Sequence, residues 1–293
     1  MDILRLLDEG LPAISKERDF SFARHTTIGS GGVASAALYP SDIEEAAHCL
    51  SFLKSNQIPH CLLGAGANVL PRDGLYEGAV VRFSRMNVLD ADADGREAGA
   101  GVTGGALLSF AKSSCITGFE PFAGIPTTVG GGVAMNAGIS AAHFSDLVLS
   151  VVACDRGKIK TFSRDECLFS EKNSVFLEGI AVLGVYFKAE RSTQAEIEAR
   201  TTYYLERRKH LPRGRSMGCT FVNPEGRSAG ALIDGCGLKG MRIGQAHVSE
   251  EHANFIINEG TCSGDIARLI DRVKEHVFNM TGILLREEIR RIP

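Results

Sequence analysis

The stretch CLLGAGANVLPRDG, residues 61–74, decides how this chain is expected to fold. A short apolar run ends in Gly64 and Gly66, and glycines at such a point let successive backbone N–H groups converge on one anion, for which a phosphate is the natural guest. The segment is not a Walker loop, because no Gly-Lys-Ser/Thr follows it. It is also a poor dinucleotide fingerprint, because Val69 stands at the third glycine position. A glycine-rich hairpin turn is the alternative that this motif alone leaves open.

A second glycine loop, FAGIPTTVGGGVAMNAG, spans residues 122–138. Its threonines, three consecutive glycines and small residues predict dense backbone and hydroxyl donors, which suit a flat ring and a pyrophosphate lying against the main chain. Tightly packed β-turns are the alternative. Two such loops in one region favour a dinucleotide over a lone phosphate. The residues predicted to contact this cofactor are Gly64, Ala65, Gly66, Ala67, Asn68, Gly124, Ile125, Pro126, Thr128, Gly130, Gly131 and Asn136.

The composition is that of an ordinary folded protein that acts on a small molecule. Its 293 residues are 44% hydrophobic and 23% charged, which excludes disorder and collagen-like repeats. The 32 Lys+Arg and 35 Asp+Glu residues give a net charge of -3, which provides no field for binding a nucleic-acid backbone or an anionic membrane. We therefore expect a small-molecule partner, no nucleic acid and no membrane.

Eight cysteines are spread along the chain, and none of them forms a Cys-x-x-Cys pair of the kind that holds zinc. They are typical of reduced thiols in a cytosolic protein, and no metal site is predicted. Residues 1–20 lack a basic start followed by a long apolar run, and later apolar runs are too short to span a bilayer. We expect a monomeric cytoplasmic protein that is neither exported nor anchored.

Two helices can be predicted from capping residues and apolar spacing. The segment SDIEEAAHCLSFLKSNQIP opens with an apparent capping box of Ser41 and Glu44 and stops before Pro59. The segment SGDIARLIDRVKEHVFNMTG begins at Ser263 as the predicted cap, has apolar residues three and four apart, and ends at Gly282. Both are predicted to be amphipathic helices.

The rest of the chain alternates between strand-like and helix-like stretches. Residues 60–190 read mainly as short strands, whereas the charge-rich stretch QAEIEARTTYYLERRKH, after residue 195, predicts a helix. The predicted architecture is α+β in three segments. These are an N-terminal α/β subdomain of residues 1–70, a strand-rich subdomain of residues 71–195 and a C-terminal domain of residues 196–293.

Six blocks of sequence follow one another from about residue 20 to the C-terminus. They are HTTIGSGGVA (25–34), GAGANVLPRDG (64–74), GFEPFAGIPTTVGGGVAMNAG (118–138), GCTFVNP (218–224), AGALIDGCGLKGMRIGQAHVSEEHANFIIN (229–258) and GILLREEIR (282–290). In this order they resemble the family of UDP-N-acetylenolpyruvoylglucosamine reductases, flavoenzymes of bacterial cell-wall synthesis. The resemblance implies an FAD-binding region of the vanillyl-alcohol-oxidase (PCMH) type, followed by a smaller α+β substrate-binding domain.

The resemblance also implies a reaction. In the family, NADPH reduces FAD, and the flavin then reduces an enolpyruvyl ether on a UDP-sugar, completing a peptidoglycan precursor. The short spans between Phe176 and Arg207 and from Phe221 to Ala229 resemble the shorter of the family's two types, which lacks a tyrosine-bearing substrate loop. The reduced substrate passes through an enolate-like carbanion, which needs cations and donors to stabilise it and an acid to protonate it.

Three residues align with the catalytic Glu, Ser and Arg of the family. Glu288 of GILLREEIR matches the Glu, and Cys219 of GCTFVNP stands at the proton-donating Ser. A thiol is a stronger acid than an alcohol, so Cys219 suits the role, with the neighbouring Thr220 as the alternative donor. Lys172 of CLFSEKNSVF stands at the Arg, where it keeps the positive charge but loses the bidentate fork.

Other positions follow the family pattern in part. Asn223 and Lys239 match residues that bind the nucleotide-sugar, and His210 lies near another basic contact. Ala67 stands where the flavin loop usually has serine. Because two of the three catalytic positions depart from the pattern, two alternatives stay open. One is a related FAD oxidoreductase with a changed substrate, and the other is a flavin- or nucleotide-binding protein without catalysis.

Overall fold

A computed structural model describes residues 3–91 and 96–293, which form an α+β protein as predicted. The helices are α1 Ile3–Gly10, α2 Phe22–His25, α3 Ile43–Ser55, α4 Gly104–Ser113, α5 Val129–Ala134, α6 Gln194–Arg208, α7 Ala229–Gly235 and α8 Ser263–Thr281. Short 3₁₀ helices lie at Glu120–Phe122, Phe144–Asp146 and Val175–Glu178. Within the two described ranges, no helix combines the length and the apolar character needed to cross a membrane.

The strands are short, with few exceptions. They are β1 Ser15–Ser21, β2 Val33–Tyr39, β3 His60–Leu62, β4 Val69–Pro71, β5 Leu75–Val81, β6 Leu89–Ala91, β7 Arg96–Gly99, β8 Ile116–Thr117, β9 Gly138–Ile139, β10 Ala142–His143, β11 Val148–Asp155, β12 Lys158–Ser163, β13 Ala181–Phe187, β14 Glu190–Arg191, β15 Arg242–Ile243, β16 Ala246–Val248, β17 Ile256–Asn258 and β18 Arg290–Ile292.

The chain divides into two compact units, each made of three segments. Unit 1 consists of Met1–Arg18, Ala36–Ala65 and Glu77–Lys209. Unit 2 consists of Asp19–Ser35, Gly66–Tyr76 and His210–Pro293. The division of the sequence at residues 70 and 195 stays a prediction.

The largest sheet of unit 1 is antiparallel, with strand order β12-β11-β13-β7-β6. In β13 every residue except Tyr186 is buried, which explains its continuous apolar sequence AVLGVYF in the middle of the sheet. The ring of Phe187, the last residue of β13, lies 5.3 Å from the ring of Phe119 and 6.2 Å from that of Phe144. This aromatic cluster belongs to the core that supports the second glycine loop.

A second sheet, with strand order β1-β2-β5-β3, has a core built largely with α3. The predicted helix here is confirmed, but the predicted capping box of Ser41 and Glu44 is wrong by one residue. Asp42 is the N-cap and accepts a hydrogen bond from the N–H of Glu45 at 2.7 Å, and the Glu45 carboxylate accepts the N–H of Ser41 at 2.8 Å. Aspartate caps a helix as well as serine does, so the sequence left two registers open.

Unit 2 contains the antiparallel sheet β15-β16-β17, the parallel pair β4 and β18, and the long helix α8. The apolar face predicted for α8 is fully buried, and Gly282 ends the helix with φ 71°. The predicted Ser263 cap is wrong, because Cys262 is the N-cap residue. The carboxylate of Asp73 instead accepts the N–H groups of Ser263 and Gly264, each at 2.9 Å. A distant aspartate thus satisfies donors that a local serine was expected to cap.

Helix α6 was predicted from the sequence, whereas helix α5 was not. The charge-rich segment forms α6, with a capping box of Thr193 and Glu196. The glycine-rich segment VGGGVA, read as loop, forms the short helix α5. Val129 and Val133 of this helix are completely buried, so its packing outweighs the poor helix propensity of glycine.

Candidate active site

The first glycine loop, residues 64–68, connects β3 with β4. A Cβ at Gly64 would lie 2.7 Å from Thr128 Oγ1 of the second loop, so the two loops come close to each other at this point. Gly66 has φ 67°, and a Cβ there would lie 2.3 Å from the carbonyl oxygen of His25. Both positions therefore require glycine, one for close approach and the other for a left-handed backbone as well.

The backbone N–H groups of residues 64–67 have no protein acceptor among the described residues. Buried or half-buried backbone donors are rarely left unpaired, so such a run points to a ligand acceptor. Successive free N–H groups with a left-handed residue among them fit an anion such as a pyrophosphate. This geometry supports the predicted anion site.

Arg82, the residue directly after β5, contacts the same loop. No role was predicted for it from the sequence. Its Nη2 donates to the carbonyl oxygen of Gly64 at 3.4 Å. Because a peptide bond is planar and trans, holding this carbonyl turns the N–H of Ala65 in the opposite direction. An arginine directly after an apolar strand was the sequence signal for this contact.

Burial and a hydrogen bond to Glu17 raise the pKa of Tyr39 to about 12, while the adjacent Arg82 cation acts to lower it.

The second loop uses most of its backbone donors within unit 1. The N–H of Val129 donates to Val102 at 2.8 Å, and that of Gly130 donates to Ala100 at 2.9 Å. Thr128 caps α5 by accepting the N–H of Gly131 at 3.2 Å. The expected density of free backbone donors is therefore not found in this part of the loop. Gly124, Ile125 and Pro126 form its exposed or half-exposed start, and their predicted cofactor contacts stay predictions.

Asn136 ends the second loop and holds the turn that carries Lys172. It is 5% exposed, accepts the N–H of Ser145 at 3.0 Å and donates to the carbonyl oxygen of Ser170 at 2.9 Å. Ser174 adds a bond from its hydroxyl to the carbonyl oxygen of Ala134 at 2.7 Å. Asn136 thus has a structural role, and its predicted contact with the cofactor stays a prediction.

Lys172 lies in the turn between Ser170 and Asn173, whose main chains are hydrogen-bonded to each other. It has φ 55°, an uncommon conformation for a lysine, and its Nζ lies 3.2 Å from the carbonyl oxygen of Gly138. The structure therefore brings the predicted cation to the end of the second glycine loop. Backbone strain of this kind often accompanies functional sites.

The structure also brings together the two other predicted catalytic residues, which are far apart in sequence. The N–H of Glu288 donates to the carbonyl oxygen of Thr220 at 2.8 Å, directly beside Cys219. Asn254, which sequence reasoning missed, holds the segment 219–221 through both its main chain and its side chain, with bonds to the backbone of Thr220 and Phe221. Thr220 is 1% exposed and its hydroxyl has no hydrogen-bond partner within the described residues.

The predicted substrate-binding residues lie elsewhere in unit 2, and two of them, Asn223 and Lys239, have partners within the protein. Asn223 accepts the N–H of Ala229 at 2.9 Å, where α7 begins. Lys239 forms an ion pair with Asp234 at 2.9 Å, and His210 is exposed. Because Asn223 and His210 are exposed and the Lys239 side chain is 31% exposed, they are accessible to a solute. Their roles toward a nucleotide-sugar stay predictions.

Comparison with known protein families identifies both parts of the chain. Residues 34–163 match the model of an FAD binding domain, and residues 209–292 match the C-terminal domain of UDP-N-acetylenolpyruvoylglucosamine reductase. The glycine loops fall in the first match. Cys219 and Glu288 fall in the second.

Curated relatives match almost the whole chain. UDP-N-acetylenolpyruvoylglucosamine reductase from Pelobacter propionicus is 35% identical over 93% of this chain and 94% of its own length. The enzyme of the same name from Geobacter metallireducens is 36% identical over 93% of this chain and 92% of its own.

Solved structures show the same relationship. The crystal structure of UDP-N-acetylenolpyruvylglucosamine reductase from Thermus caldophilus superimposes with a TM-score of 0.82 and 32% identity, covering 96% of this chain and 99% of that one. The glucose dehydrogenase Phl p 4.0202 matches 66% of this chain and 45% of its own, with a TM-score of 0.54 and 15% identity, and thus shares the fold alone. The chain belongs to the UDP-N-acetylenolpyruvoylglucosamine reductase family.

Proposed function

We propose that this protein is a cytoplasmic, FAD-dependent enzyme that uses NADPH to reduce UDP-N-acetylglucosamine enolpyruvate to UDP-N-acetylmuramate in peptidoglycan precursor synthesis. We further propose that it works as a monomer and that its only partners are small molecules. Identity of 35% over 93% of the chain supports the reaction class. One contact of the structure carries the assignment of the site. The hydrogen bond from Glu288 N–H to the carbonyl oxygen of Thr220 joins two segments that are far apart in sequence and that the family pattern assigns to the same chemistry.

Each residue of the proposed site has a distinct task. FAD, when bound, supplies the hydride transfer between NADPH and the enolpyruvyl double bond. The N–H groups of residues 64–67, which have no acceptor among the described residues, would hold its pyrophosphate. The hydride leaves negative charge on the carbon next to the substrate carboxylate, which the ammonium group of Lys172 stabilises. Cys219 donates the proton that completes the saturated product, and Glu288 acts with Lys172 to stabilise the enolate, as the family pattern assigns.

An anaerobic spectroscopic experiment tests the function as a whole. NADPH added to the FAD-loaded protein should bleach the flavin bands, and UDP-N-acetylglucosamine enolpyruvate should then restore them. Reduction without reoxidation by this substrate would indicate a related oxidoreductase with a changed substrate. A protein that cannot be loaded with FAD would refute the proposal.

Substitution of Cys219 tests its assignment as the acid. Cys219→Ser should keep or raise the reoxidation rate, because the hydroxyl of the family pattern is restored. Cys219→Ala should lower that rate by about 10²-fold, the smaller end of the range for a general acid. Stopped-flow measurement of both half-reactions gives these rates. Cys262→Ala, which alters the exposed cysteine beside α8, serves as the control. Equal rates in wild type and both Cys219 variants would remove Cys219 from the mechanism.

A further inference from the structure

The C-terminal segment that carries Glu288 is held by main-chain hydrogen bonds within unit 2. The N–H of Glu288 donates to Thr220, and its carbonyl oxygen accepts a bond from Asn68 Nδ2 at 3.1 Å. Two residues later, the N–H of Arg290 donates to the carbonyl oxygen of Asn68 at 2.9 Å. Asn68 therefore makes two hydrogen bonds to this segment, one from its side chain and one through its main chain.

Asn68 is also the last residue of the first glycine loop. It directly precedes β4, and β4 pairs in parallel with β18, in a register that sets Val69 opposite Arg290. The residue that ends the anion-binding loop is thus the residue that holds the backbone of Glu288. The predicted contact of Asn68 with the cofactor stays a prediction, whereas the structure shows its side chain bonded to Glu288.

The residues around Glu288 determine which way its side chain faces. Leu285 is buried in the core of unit 2, and the Glu287 carboxylate accepts bonds from Arg291 at 2.9 and 3.1 Å and from Lys274 of α8 at 3.0 Å. Alternate residues of an extended segment share a face, and their neighbours take the other. The face with Leu285 and Glu287 packs on unit 2, so Glu288 occupies the opposite face.

We propose that Asn68 is a positioning residue for Glu288, which couples the flavin-binding loop to the carboxyl group that acts on the substrate. The inference rests on the proposed function, because it takes Glu288 to be a working carboxyl. Catalysis depends on the placement of such a group, and an error of about 1 Å can cost up to about 10²-fold in rate. With its carbonyl oxygen held by Asn68 and its N–H held by Thr220, the backbone of Glu288 has one orientation.

The decisive variant is Asn68→Asp, which keeps the side-chain shape but removes the N–H donor. Both half-reactions of the FAD-loaded protein are measured anaerobically by stopped-flow absorbance. Reoxidation by UDP-N-acetylglucosamine enolpyruvate should slow about tenfold, and reduction by NADPH, measured with FAD at saturation because Asn68 is also a predicted cofactor contact, should slow by less. Asn68→Ser, with a shorter side chain and no added charge, should show the same split. Asn87→Asp, at an exposed asparagine of unit 1, is the matched control and should change neither rate.

A double-mutant cycle shows whether Asn68 acts through Glu288. If it does, Asn68→Asp has no further effect on reoxidation in a Glu288→Gln protein, because coupled residues are not additive. Additive losses would overturn the proposal. So would Asn68 variants that bind FAD more weakly, measured by flavin fluorescence, but reoxidise the bound flavin at the wild-type rate. A Glu288→Gln protein with normal reoxidation would overturn the role of Glu288 together with this inference, while wild-type turnover would still support the proposed function.

Discussion

The two glycine loops of this protein look alike in sequence and use their glycines in different ways. In the first loop, residues 64–67, the backbone N–H groups donate to no acceptor among the described residues. In the second, the N–H groups of Val129 and Gly130 donate to backbone carbonyls of unit 1, and Thr128 caps Gly131. The first loop offers its backbone to a ligand, whereas the central part of the second has its backbone tied into the fold.

The glycines of both loops lie against protein atoms, but the surroundings differ. A Cβ at Gly132 would lie 2.8 Å from the ring of Phe144, and one at Gly130 would lie 3.0 Å from Ala100. These glycines make room for the protein's own core. Gly66 lies against the main chain, with 2.3 Å from an added Cβ to the carbonyl oxygen of His25, and it also supplies a left-handed turn among residues 64–67. A cluster of glycines therefore marks close approach of the backbone, but the partner of that approach is either a ligand or the protein itself.

The largest effect should come from Gly66→Ala in the first loop. The new Cβ meets the carbonyl oxygen of His25 at 2.3 Å at a residue with φ 67°, so the loop has to change shape. We expect the affinity for FAD to fall about 100-fold, measured by fluorescence titration of the apoprotein, since about 1.4 kcal/mol changes a binding constant tenfold. Gly74→Ala is the control, because Gly74 has φ 93° with nothing within 4 Å of the added Cβ. Equal losses in both variants would mean that backbone strain alone, and not the shape of this loop, is responsible.

A substitution in the second loop should lower the stability of the protein and leave its affinity for FAD nearly unchanged. Gly132→Ala forces a methyl group against Phe144 in a buried site, and overpacking of this kind costs about 1–3 kcal/mol. Chemical denaturation should show that loss, while the folded protein keeps FAD affinity within a few-fold of wild type. Gly105→Ala, in α4 with open space around it, should leave stability unchanged or slightly raised. If Gly132→Ala weakened FAD binding as much as Gly66→Ala, the contrast between the loops would be lost.

The smallest expected effect is a change in stability on substitution of Glu287. This residue helps to hold β18, which pairs with β4 directly after the first loop. Burial raises the pKa of Glu287, but hydrogen bonds from Arg291 and Lys274 outweigh it, so the pKa lies below its usual value. A carboxyl group whose pKa is depressed by folding stabilises the protein above its unfolded pKa of about 4.3, and this contribution disappears as the pH falls through the folded pKa. Glu287→Gln should therefore lower the free energy of unfolding by about 1 kcal/mol at pH 7, with partial solvent screening taken into account.

The pH dependence of this effect is its sharpest test. Denaturant unfolding of wild type and Glu287→Gln at several pH values should show the two stabilities converging below about pH 4. Glu275→Gln, which removes an exposed partner of Arg272 on α8, is the matched control and should change stability little at any pH. A constant difference between wild type and Glu287→Gln down to pH 3 would show that ionisation of Glu287 is not the cause.

Much of the fold could be predicted from the sequence because its signals are local. The apolar spacing of α8 and the αL residue Gly282 that ends it lie within one segment, and both predictions are confirmed. The strand-like runs between residues 60 and 190 likewise form the sheets of unit 1 in large part. Local patterns misplaced the caps, since Asp42 competes with Ser41 and the N–H of Ser263 is capped by the distant Asp73.

The order of the sequence blocks alone determined the family, the α+β class and the candidates for chemistry, because these depend on residue identity along the chain. Only the tertiary structure decided that VGGGVA forms a helix and that Asn68 and Thr220 hold the backbone of Glu288. It also decided that the N–H groups of residues 64–67 have no acceptor in the described part of the chain. The physical reason is the same in each case. Each of these bonds uses at least one backbone group, and even the Asn68 side chain bonds a backbone carbonyl. Such groups are common to nearly every residue, so their partners are set by which segments meet and leave no mark on the sequence.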